Sequence, residues 1–170
     1  MSSKTVIIDS PNLCWKSFYT MGNLSYEGIP TGVLYGFMMK ISRIWDKYGP
    51  CDFVFAWDSR KKMRKLEYPE YKSRNDNLDE EEKDKRRLAN IQINDIREYV
   101  FPKIGINQSY LETGFEADDI IASFAKSFDG ELIAVSSDED LLQLLDYCTI
   151  YTENDVITKD KFKRYYGIEP

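Results

Sequence analysis

The chain contains no histidine among its 170 residues. Mechanisms that need a histidine base, a histidine metal ligand or a serine–histidine–aspartate triad are therefore excluded. Cysteine is scarce, and Cys14, Cys51 and Cys148 are too widely spaced for a disulfide framework or a zinc knuckle. No apolar run approaches the roughly 20 residues of a membrane span, and the N-terminal segment lacks the features of a signal peptide. The sequence therefore predicts a cytoplasmic protein with no membrane partner.

The charge of the chain is unevenly distributed. The formal net charge of −6 by itself disfavours a nucleic-acid partner. However, seven lysines and arginines lie between Arg60 and Arg74 against two acids, and eight acids lie between Glu116 and Asp140 against one lysine. A basic stripe and an acidic cluster on one small protein indicate a site that combines both charges.

Hydrophobic periodicity predicts strands that alternate with helices. The predicted strands are 4–8, 53–57, 131–135 and 149–152, and the predicted helices are 31–45, 76–87, 88–101, 116–128, 139–145 and 159–166. Pro102 is expected to end the helix before it. This alternation predicts a single α/β domain over residues 1–170, a three-layer sandwich with a mostly parallel central sheet.

Acidic residues follow the predicted strands. Asp9, Asp58 and Asp138 each come just after one, and because parallel strands end at the same edge of a sheet, all three are expected at that edge, where ligands bind. Glu116 and Asp119 are one helical turn apart and share a helix face. The acidic set is completed by Asp118 and Asp140.

Several carboxylates at one edge repel one another unless a cation neutralises them. Carboxylate ligands without histidine or cysteine select hard cations such as Mg²⁺ or Mn²⁺, which also bind phosphate oxygens. The alternative is structural, since acids are preferred at helix N-termini and Asp138 or Glu116–Asp119 could serve only as caps.

The basic stripe indicates a phosphate-bearing partner. Lys61, Lys62 and Arg64 follow Asp58 closely and are expected to flank the acidic site. Tyr71 beside Lys72 and Arg74 combines a stacking ring with phosphate-pairing charges, as in proteins that bind single strands. The alternative is a solvated face whose lysine stems cover apolar surface.

Five segments of the sequence resemble one known family in order along nearly the whole chain. They are IIDSPNLCWKSFY, PTGVLYGFM, FVFAWDSRKKMRKLEYPEYKSR, GFEADDIIASFA and AVSSDEDLLQLL. These segments are similar to the 5′-to-3′ exonuclease and flap endonuclease family, which includes the N-terminal domain of bacterial DNA polymerase I and phage nucleases. The Glu-Ala-Asp-Asp and Ser-x-Asp-x-Asp blocks are the most specific part of the resemblance.

The resemblance implies a PIN-like 5′-nuclease core that cleaves 5′ ends or flaps of DNA in a bacterial or phage-infected cell. It also implies a site for up to two ions of Mg²⁺ or Mn²⁺. The first ion would be held by Asp9, Asp58, Glu116, Asp118 and Asp119, with Asp138 and Asp140 shared toward the second.

The resemblance further implies a helical arch over about residues 71–98, through or under which the 5′ strand passes. Arg64, Tyr71, Lys72 and Arg74 match the base of this arch. Lys72 would steady the scissile phosphate and, with Arg64, act in catalysis. Lys16 resembles a basic residue at the rim of the active site that contacts the nucleic acid.

The sequence departs from the family pattern in one respect. The chain contains no Gly-Asp-x-x-Asp segment, whose aspartates complete the family's second metal site, and no duplex-binding helical module. We therefore expect weak activity from this chain alone and leave open that a separate chain supplies the C-terminal half. Two other functions stay open: a PIN-type ribonuclease, and a non-catalytic fragment that binds nucleic acid or a partner.

Overall fold

Short runs of β-branched and aromatic residues form a six-stranded sheet in the computed structural model, which describes residues 4–59 and 79–170. The described strands are β1 (Lys4–Asp9), β2 (Ser25–Tyr26), β3 (Ile29–Pro30), β4 (Asp52–Trp57), β5 (Ser109–Leu111), β6 (Glu131–Val135), β7 (Thr149–Tyr151) and β8 (Val156–Ile157). The strand order is β5-β4-β1-β6-β7-β8, while β2 and β3 form a separate antiparallel hairpin. All pairs in the large sheet are parallel except β7 with β8, which confirms the predicted mostly parallel sheet.

The described helices are α1 (Ser10–Met21), α2 (Gly32–Tyr48), α3 (Glu80–Asp95), α4 (Ala117–Ser127) and α5 (Lys159–Tyr166), with a 3₁₀ helix at Glu139–Leu144. Four of them lie where hydrophobic spacing predicts a helix. Helix α1 is not predicted by hydrophobic spacing, because its buried face mixes Leu13 and Cys14 with Ser10 and Ser17 and gives a weak apolar signal. The short strands β2, β3, β5 and β8 were also missed, because two or three residues carry no readable period.

Pro102 does not end the helix before it, contrary to the prediction. Helix α3 continues through a π-helical stretch, Ile96–Val100, into a helical turn at Phe101–Lys103. The π-helical stretch ends with the Phe101 N–H bonded to the Ile96 carbonyl. Pro102 then stands in the first turn of the next helical segment, where a missing N–H is tolerated. The two helices predicted over 76–87 and 88–101 are thus continuous from Glu80 onward.

The alternation of side chains along the strands creates two hydrophobic cores, one on each face of the sheet. Val6 and Ile8 of β1 pack with α1, α2 and Phe101 on one face, and Ile7 between them packs with Ile121 of α4 on the other. All five of these side chains are fully buried. Helices therefore cover both faces, and the predicted α/β sandwich is confirmed.

Two glycines allow α1 and α2 to lie against each other. A Cβ on Gly32 would come within 1.9 Å of the Met21 carbonyl oxygen, and a Cβ on Gly36 within 2.7 Å of the Ser17 side chain. Both distances are far below an ordinary van der Waals contact. The spacing of α1 and α2 therefore depends on these glycines.

None of the helices in the described ranges is long and apolar enough to cross a membrane.

Candidate active site

The carboxyl ends of the parallel strands open into a cleft lined by acids, as the strand-end pattern predicts. This carboxylate cleft has a volume of about 420 Å³. Its acidic lining residues are Asp9, Asp58, Glu116, Asp118 and Asp138. Of the seven acids proposed from the sequence, Asp119 and Asp140 are not among the residues that line it. The structure thus brings together residues separated by as many as 129 positions in the chain.

Asp9 is the last residue of β1, and its side chain is held by two hydrogen bonds. Its Oδ1 accepts from the backbone N–H of Asn12 at 3.1 Å, which caps α1, and its Oδ2 accepts from the Ser136 hydroxyl at 2.8 Å. The residue is only 7% exposed. The end of β1 and the end of β6 are therefore joined through this carboxylate.

Asp58 and Glu116 connect the end of β4 to the start of α4. Asp58 Oδ1 accepts from the Ala117 N–H at 2.9 Å. Glu116 and Asp119 form a capping box at the N-terminus of α4, in which Asp119 Oδ2 accepts from the Glu116 N–H at 3.0 Å. Glu116 thus both caps α4 and lines the cleft, while Asp119 takes part in the cap but does not line the cleft.

Asp138 and Asp140 lie where β6 passes into the 3₁₀ helix. Asp138 Oδ1 accepts from the Asp140 N–H at 3.0 Å and so caps this helix, and the Asp138 N–H donates to Ser136 Oγ at 3.0 Å. Ser136 therefore bonds both Asp9 and the backbone of Asp138. This shared hydroxyl links the Asp9 carboxylate to the backbone that carries Asp138.

The electrostatic environment of the cleft disfavours negative charge. Burial raises the pKa of Asp9 to about 6 despite the hydrogen bonds from Ser136 and Asn12, and the neighbouring charges of Asp58 and Asp138 raise it further. Glu116 is 3% exposed. A cleft of crowded and partly buried carboxylates is a strong attractor for a cation.

The chemistry of the donors fits a hard divalent cation. All five acids offer oxygen, and no histidine or cysteine lines the cleft. In residues 4–59 and 79–170, no three acidic or cysteine side chains are arranged to hold an ion directly as they stand. The helix-capping hydrogen bonds explain this spacing, since Asp9, Asp58 and Asp138 are each turned toward a backbone N–H. Ligation would then use rotamer changes or bridging waters, which Mg²⁺ commonly keeps.

Six other residues line the carboxylate cleft. Besides Pro11 and Ala117, they are four polar or aromatic residues that the sequence pattern does not single out: Asn12, Trp15, Tyr19 and Arg86. Asn12 Oδ1 accepts from the Ser137 N–H and hydroxyl at 3.3 and 3.1 Å. Its place in the Asn-Leu pair after Asp9 was an available signal. For Arg86 the sequence offers no signal beyond its spacing of four from Glu82, because only the tertiary packing brings α3 beside α1.

Arg86 places a positive charge opposite the acids. Its Nε donates to Glu82 Oε1 at 3.0 Å, its Nη2 donates to the Tyr19 hydroxyl at 3.3 Å, and its guanidinium lies 5.9 Å from the Trp15 ring centroid. The cleft therefore has an acidic wall from the strand ends and an aromatic and cationic wall from α1 and α3.

The predicted basic and aromatic residues of the stripe lie outside the described residues. They are Lys61, Lys62, Arg64, Tyr71, Lys72 and Arg74, together with residues 71–78 of the predicted arch. Lys16 is described, and it lies on α1 in a second cleft next to the first. That second cleft is lined by Lys16, Tyr19, Thr20, Lys40, Arg43, Ile44, Tyr151, Glu153 and Asn154 and has a volume of about 400 Å³; we call it the basic cleft.

A larger groove of about 600 Å³ lies beside β5 and α4, with Tyr110, Phe115 and Phe124 in its lining. Asp119 also lines this groove. Its lining is mostly apolar, so it lacks the convergent carboxylates that metal or phosphate chemistry needs. We therefore place the candidate active site at the carboxylate cleft, where the strand ends meet.

The sheet order and the acidic cleft define the class of this protein as a PIN-like α/β domain. Residues 4–167 match the family described as 5′-3′ exonuclease, N-terminal resolvase-like domain. The chain therefore belongs to the 5′-3′ exonuclease family, and the resemblance described from its motifs is confirmed.

Relatives among characterised proteins cover almost the whole chain. The chain is 32% identical over 178 residues to a 5′-3′ exonuclease of Buchnera aphidicola, a match that covers 99% of this chain and 59% of the relative. It is 31% identical over 172 residues to the 5′-3′ exonuclease of Aquifex aeolicus, covering 96% and 56%. It is 29% identical over 184 residues to DNA polymerase I of Caldicellulosiruptor bescii, covering 97% and 20%. The chain thus spans from one fifth to three fifths of these relatives' lengths.

Solved structures show the same fold. The D15 protein of phage T5, co-crystallised with metal ions, superposes with a TM-score of 0.77 at 19% identity over 97% of this chain and 61% of that one. A second structure, a T5 D15 flap endonuclease variant in a complex with DNA and metal ions, gives a TM-score of 0.75 at 18% identity. The likeness supports the predicted PIN-like architecture.

Proposed function

We propose that this chain is the metal-dependent catalytic domain of a 5′-nuclease that hydrolyses phosphodiester bonds at 5′ ends or flaps of DNA. The observation that carries the proposal is the convergence of five acids in one cleft, in a chain of the 5′-3′ exonuclease family. The family members named above are exonucleases and DNA polymerases, and the phage T5 protein was crystallised with metal ions and with DNA.

The acids of the carboxylate cleft would hold Mg²⁺ or Mn²⁺, up to two ions. A divalent cation, when bound, polarises a phosphate oxygen and lowers the pKa of a coordinated water. The chain's own residues prepare the site: Ser136 and Asn12 orient Asp9, and the Ala117 N–H orients Asp58. Asp119 and Asp140 support this set through the hydrogen bonds at the helix starts.

The opposite wall of the cleft would position the nucleic acid. Arg86 offers a fixed guanidinium near the acids, and Lys16 offers an ammonium on the adjoining surface. Within the proposal, Lys72 and Arg64 offset negative charge on the reacting phosphate, and Lys61, Lys62, Tyr71 and Arg74 bind the strand that leads to it.

Polypeptide outside these 170 residues is also part of the proposal. The chain spans 59% and 56% of two bacterial exonucleases. We propose that further duplex-binding surface, in the same or a separate chain, raises activity well above that of the isolated domain. Adding such a polypeptide in trans and measuring turnover tests this part.

The central experiment uses the purified chain with end-labelled 5′-flap DNA, single-stranded DNA and RNA, titrated with Mg²⁺ or Mn²⁺. We expect metal-dependent cleavage near the 5′ end of DNA and loss of that cleavage in Asp58→Asn, whose amide oxygen can still accept from Ala117. Asp129→Asn is the matched control, because Asp129 is exposed just before the amino end of β6, at the opposite edge of the sheet. Cleavage of RNA alone would favour a PIN-type ribonuclease, and binding without turnover would favour a non-catalytic fragment; either result overturns the proposal.

A further inference from the structure

Glu153 joins two lysines from two different helices in the basic cleft. Its Oε2 accepts from Lys16 Nζ of α1 at 3.0 Å, and its Oε1 accepts from Lys40 Nζ of α2 at 2.7 Å. The three side chains are 15–31% exposed, so the arrangement is partly buried rather than on an open surface. Two ammonium groups thus hold the two oxygens of a single anionic group.

The backbone at Glu153 is held in an uncommon conformation. Its φ is 70°, in the left-handed region that residues other than glycine adopt at a cost. The turn around it is closed by the Thr152 N–H donating to the Asp155 carbonyl at 3.0 Å, and the Glu153 carbonyl accepts from the Tyr151 hydroxyl at 3.0 Å. The turn therefore places this carboxylate between α1 and α2 at the carboxyl end of β7.

The basic cleft keeps a surplus of positive charge after this ion pairing. Lys16, Lys40 and Arg43 line it, and Glu153 is the only acid in its described lining. Arg43 is exposed and forms no ion pair with another described residue. Lys47 adds a further cation nearby, with its ammonium 4.2 Å from the centroid of the Tyr151 ring.

The basic cleft adjoins the candidate active site. Tyr19 lines both clefts, and its side chain, 66% exposed, stands between them. A strand whose phosphate lies in the carboxylate cleft would therefore bring its neighbouring backbone to Tyr19 and to the lysines beyond it. Ammonium groups pair with phosphate oxygens as well as with carboxylates.

We infer that Lys16, Lys40 and Arg43 form a binding site for the phosphodiester backbone of a nucleic-acid strand, and that Glu153 occupies the phosphate position when no strand is bound. This inference rests on the proposed function for the identity of the ligand. The glutamate keeps the two lysines oriented in the free protein and competes with the strand for them. Removing its charge should therefore strengthen binding, while removing a lysine should weaken it.

The test measures binding of a fluorescent oligothymidylate in a chelator, so that hydrolysis cannot contribute, over a series of salt concentrations. We expect Lys40→Ala and Arg43→Ala each to weaken binding about threefold to tenfold and to lower the salt slope by roughly 0.7, the value for one phosphate contact on a single strand. Glu153→Gln, which keeps one acceptor oxygen, should strengthen binding by a similar factor.

The matched controls come from the opposite edge of the sheet. Lys4 and Glu131 form an ion pair of 3.7 Å at the amino ends of β1 and β6. Lys4→Ala and Glu131→Gln change the net charge of the chain by the same amounts as the test variants. Melting curves of all variants check that each is folded.

Equal changes in binding for the test and control variants would show that binding depends only on the net charge of the chain, which would overturn the inference. Absence of oligonucleotide binding by the parent chain would overturn it as well. Failure of the proposed function would give a different result. If the chain binds DNA through Lys40 and Arg43 but does not cleave it with metal, the binding site is supported and the nuclease function is contradicted.

Discussion

Two clefts of opposite charge meet at Tyr19, and they are built in different ways. The carboxylate cleft collects acids that end β1, follow β4 and β6, or lie at the start of α4. The basic cleft collects cations from the middle of α1 and α2, with one acid from the turn after β7. In the carboxylate cleft, backbone N–H groups hold Asp9 and Asp58. In the basic cleft, ion pairs to Glu153 hold Lys16 and Lys40. Strand ends thus supply acids held by backbone hydrogen bonds, while helix faces supply lysines held by ion pairs to one glutamate.

The largest effect is expected from the acidic side of this comparison. Asp9→Asn removes one charge from the carboxylate cleft while the amide oxygen can still cap α1. We expect DNA hydrolysis to fall at least about a hundredfold, because losing a charged ligand costs a few kcal/mol and about 1.4 kcal/mol is a factor of ten in rate. The rise in melting temperature on adding Mg²⁺ or Mn²⁺ should also shrink. Steady-state cleavage and thermal melting measure both.

The same variant separates the two clefts. Oligonucleotide binding in a chelator should be retained in Asp9→Asn, because the basic cleft is unchanged and one repelling charge is gone. Weaker binding in this variant would show that the two clefts are not independent. Asp129→Asn again serves as the control for a change in net charge.

The next largest effect is expected where α1 meets α2, since their spacing brings Lys16 to Lys40. Gly36→Ala places a Cβ within 2.7 Å of Ser17. We expect a loss of about 1–3 kcal/mol in the free energy of unfolding, as for other overpacked contacts. Ser42→Ala, at an exposed position on the same helix, is the control. Chemical denaturation measures the free energy of unfolding of both variants. An unchanged value for Gly36→Ala would mean that the two helices can move apart without a loss of stability.

A smaller effect concerns the pH dependence of the Glu153 ion pairs. Burial would raise the pKa of Glu153, but hydrogen bonds and charges from Lys40 and Lys16 outweigh it and lower the pKa below its ordinary value of 4.5. Because the folded pKa is depressed, the stabilisation is fully present above about pH 4.5 and is lost as the pH falls through the folded pKa. Its size should be on the order of 1 kcal/mol, the upper range for partly exposed pairs.

Denaturation of the parent chain and Glu153→Gln at neutral and acidic pH measures this contribution. The parent should be the more stable of the two at neutral pH, and the difference should disappear in acid. A difference that persists in acid would mean that the glutamate stabilises the turn through packing rather than charge.

The smallest effect is expected at the boundary between the clefts. Tyr19→Ala removes an exposed ring that a base can stack on, which is worth about 1–3 kcal/mol at an established stacking site and less at a boundary position. Oligonucleotide titration should show a loss of a few fold. Tyr99→Ala is a matched control, because Tyr99 is 63% exposed against 66% for Tyr19 and lines neither cleft. Equal losses of binding in Tyr19→Ala and Tyr99→Ala would show that the strand does not stack on Tyr19.

The α/β class and most of the long elements follow from the amino-acid sequence, because β-branched runs and helical spacing are local patterns. The family follows from the resemblance of the five motif segments. The sequence also predicts that Asp9, Asp58 and Asp138 meet at one edge, since parallel strands end at the same edge of a sheet. Other features depend on tertiary packing, which local patterns do not encode. They include the continuation of α3 past Pro102 and the absence of Asp119 and Asp140 from the lining of the carboxylate cleft. The same holds for Arg86 beside Trp15 and for Glu153 between Lys16 and Lys40. These contacts join positions that are far apart in the chain. Only the packing of α1, α2, α3 and the turn after β7 brings them together, so no spacing along the chain predicts them.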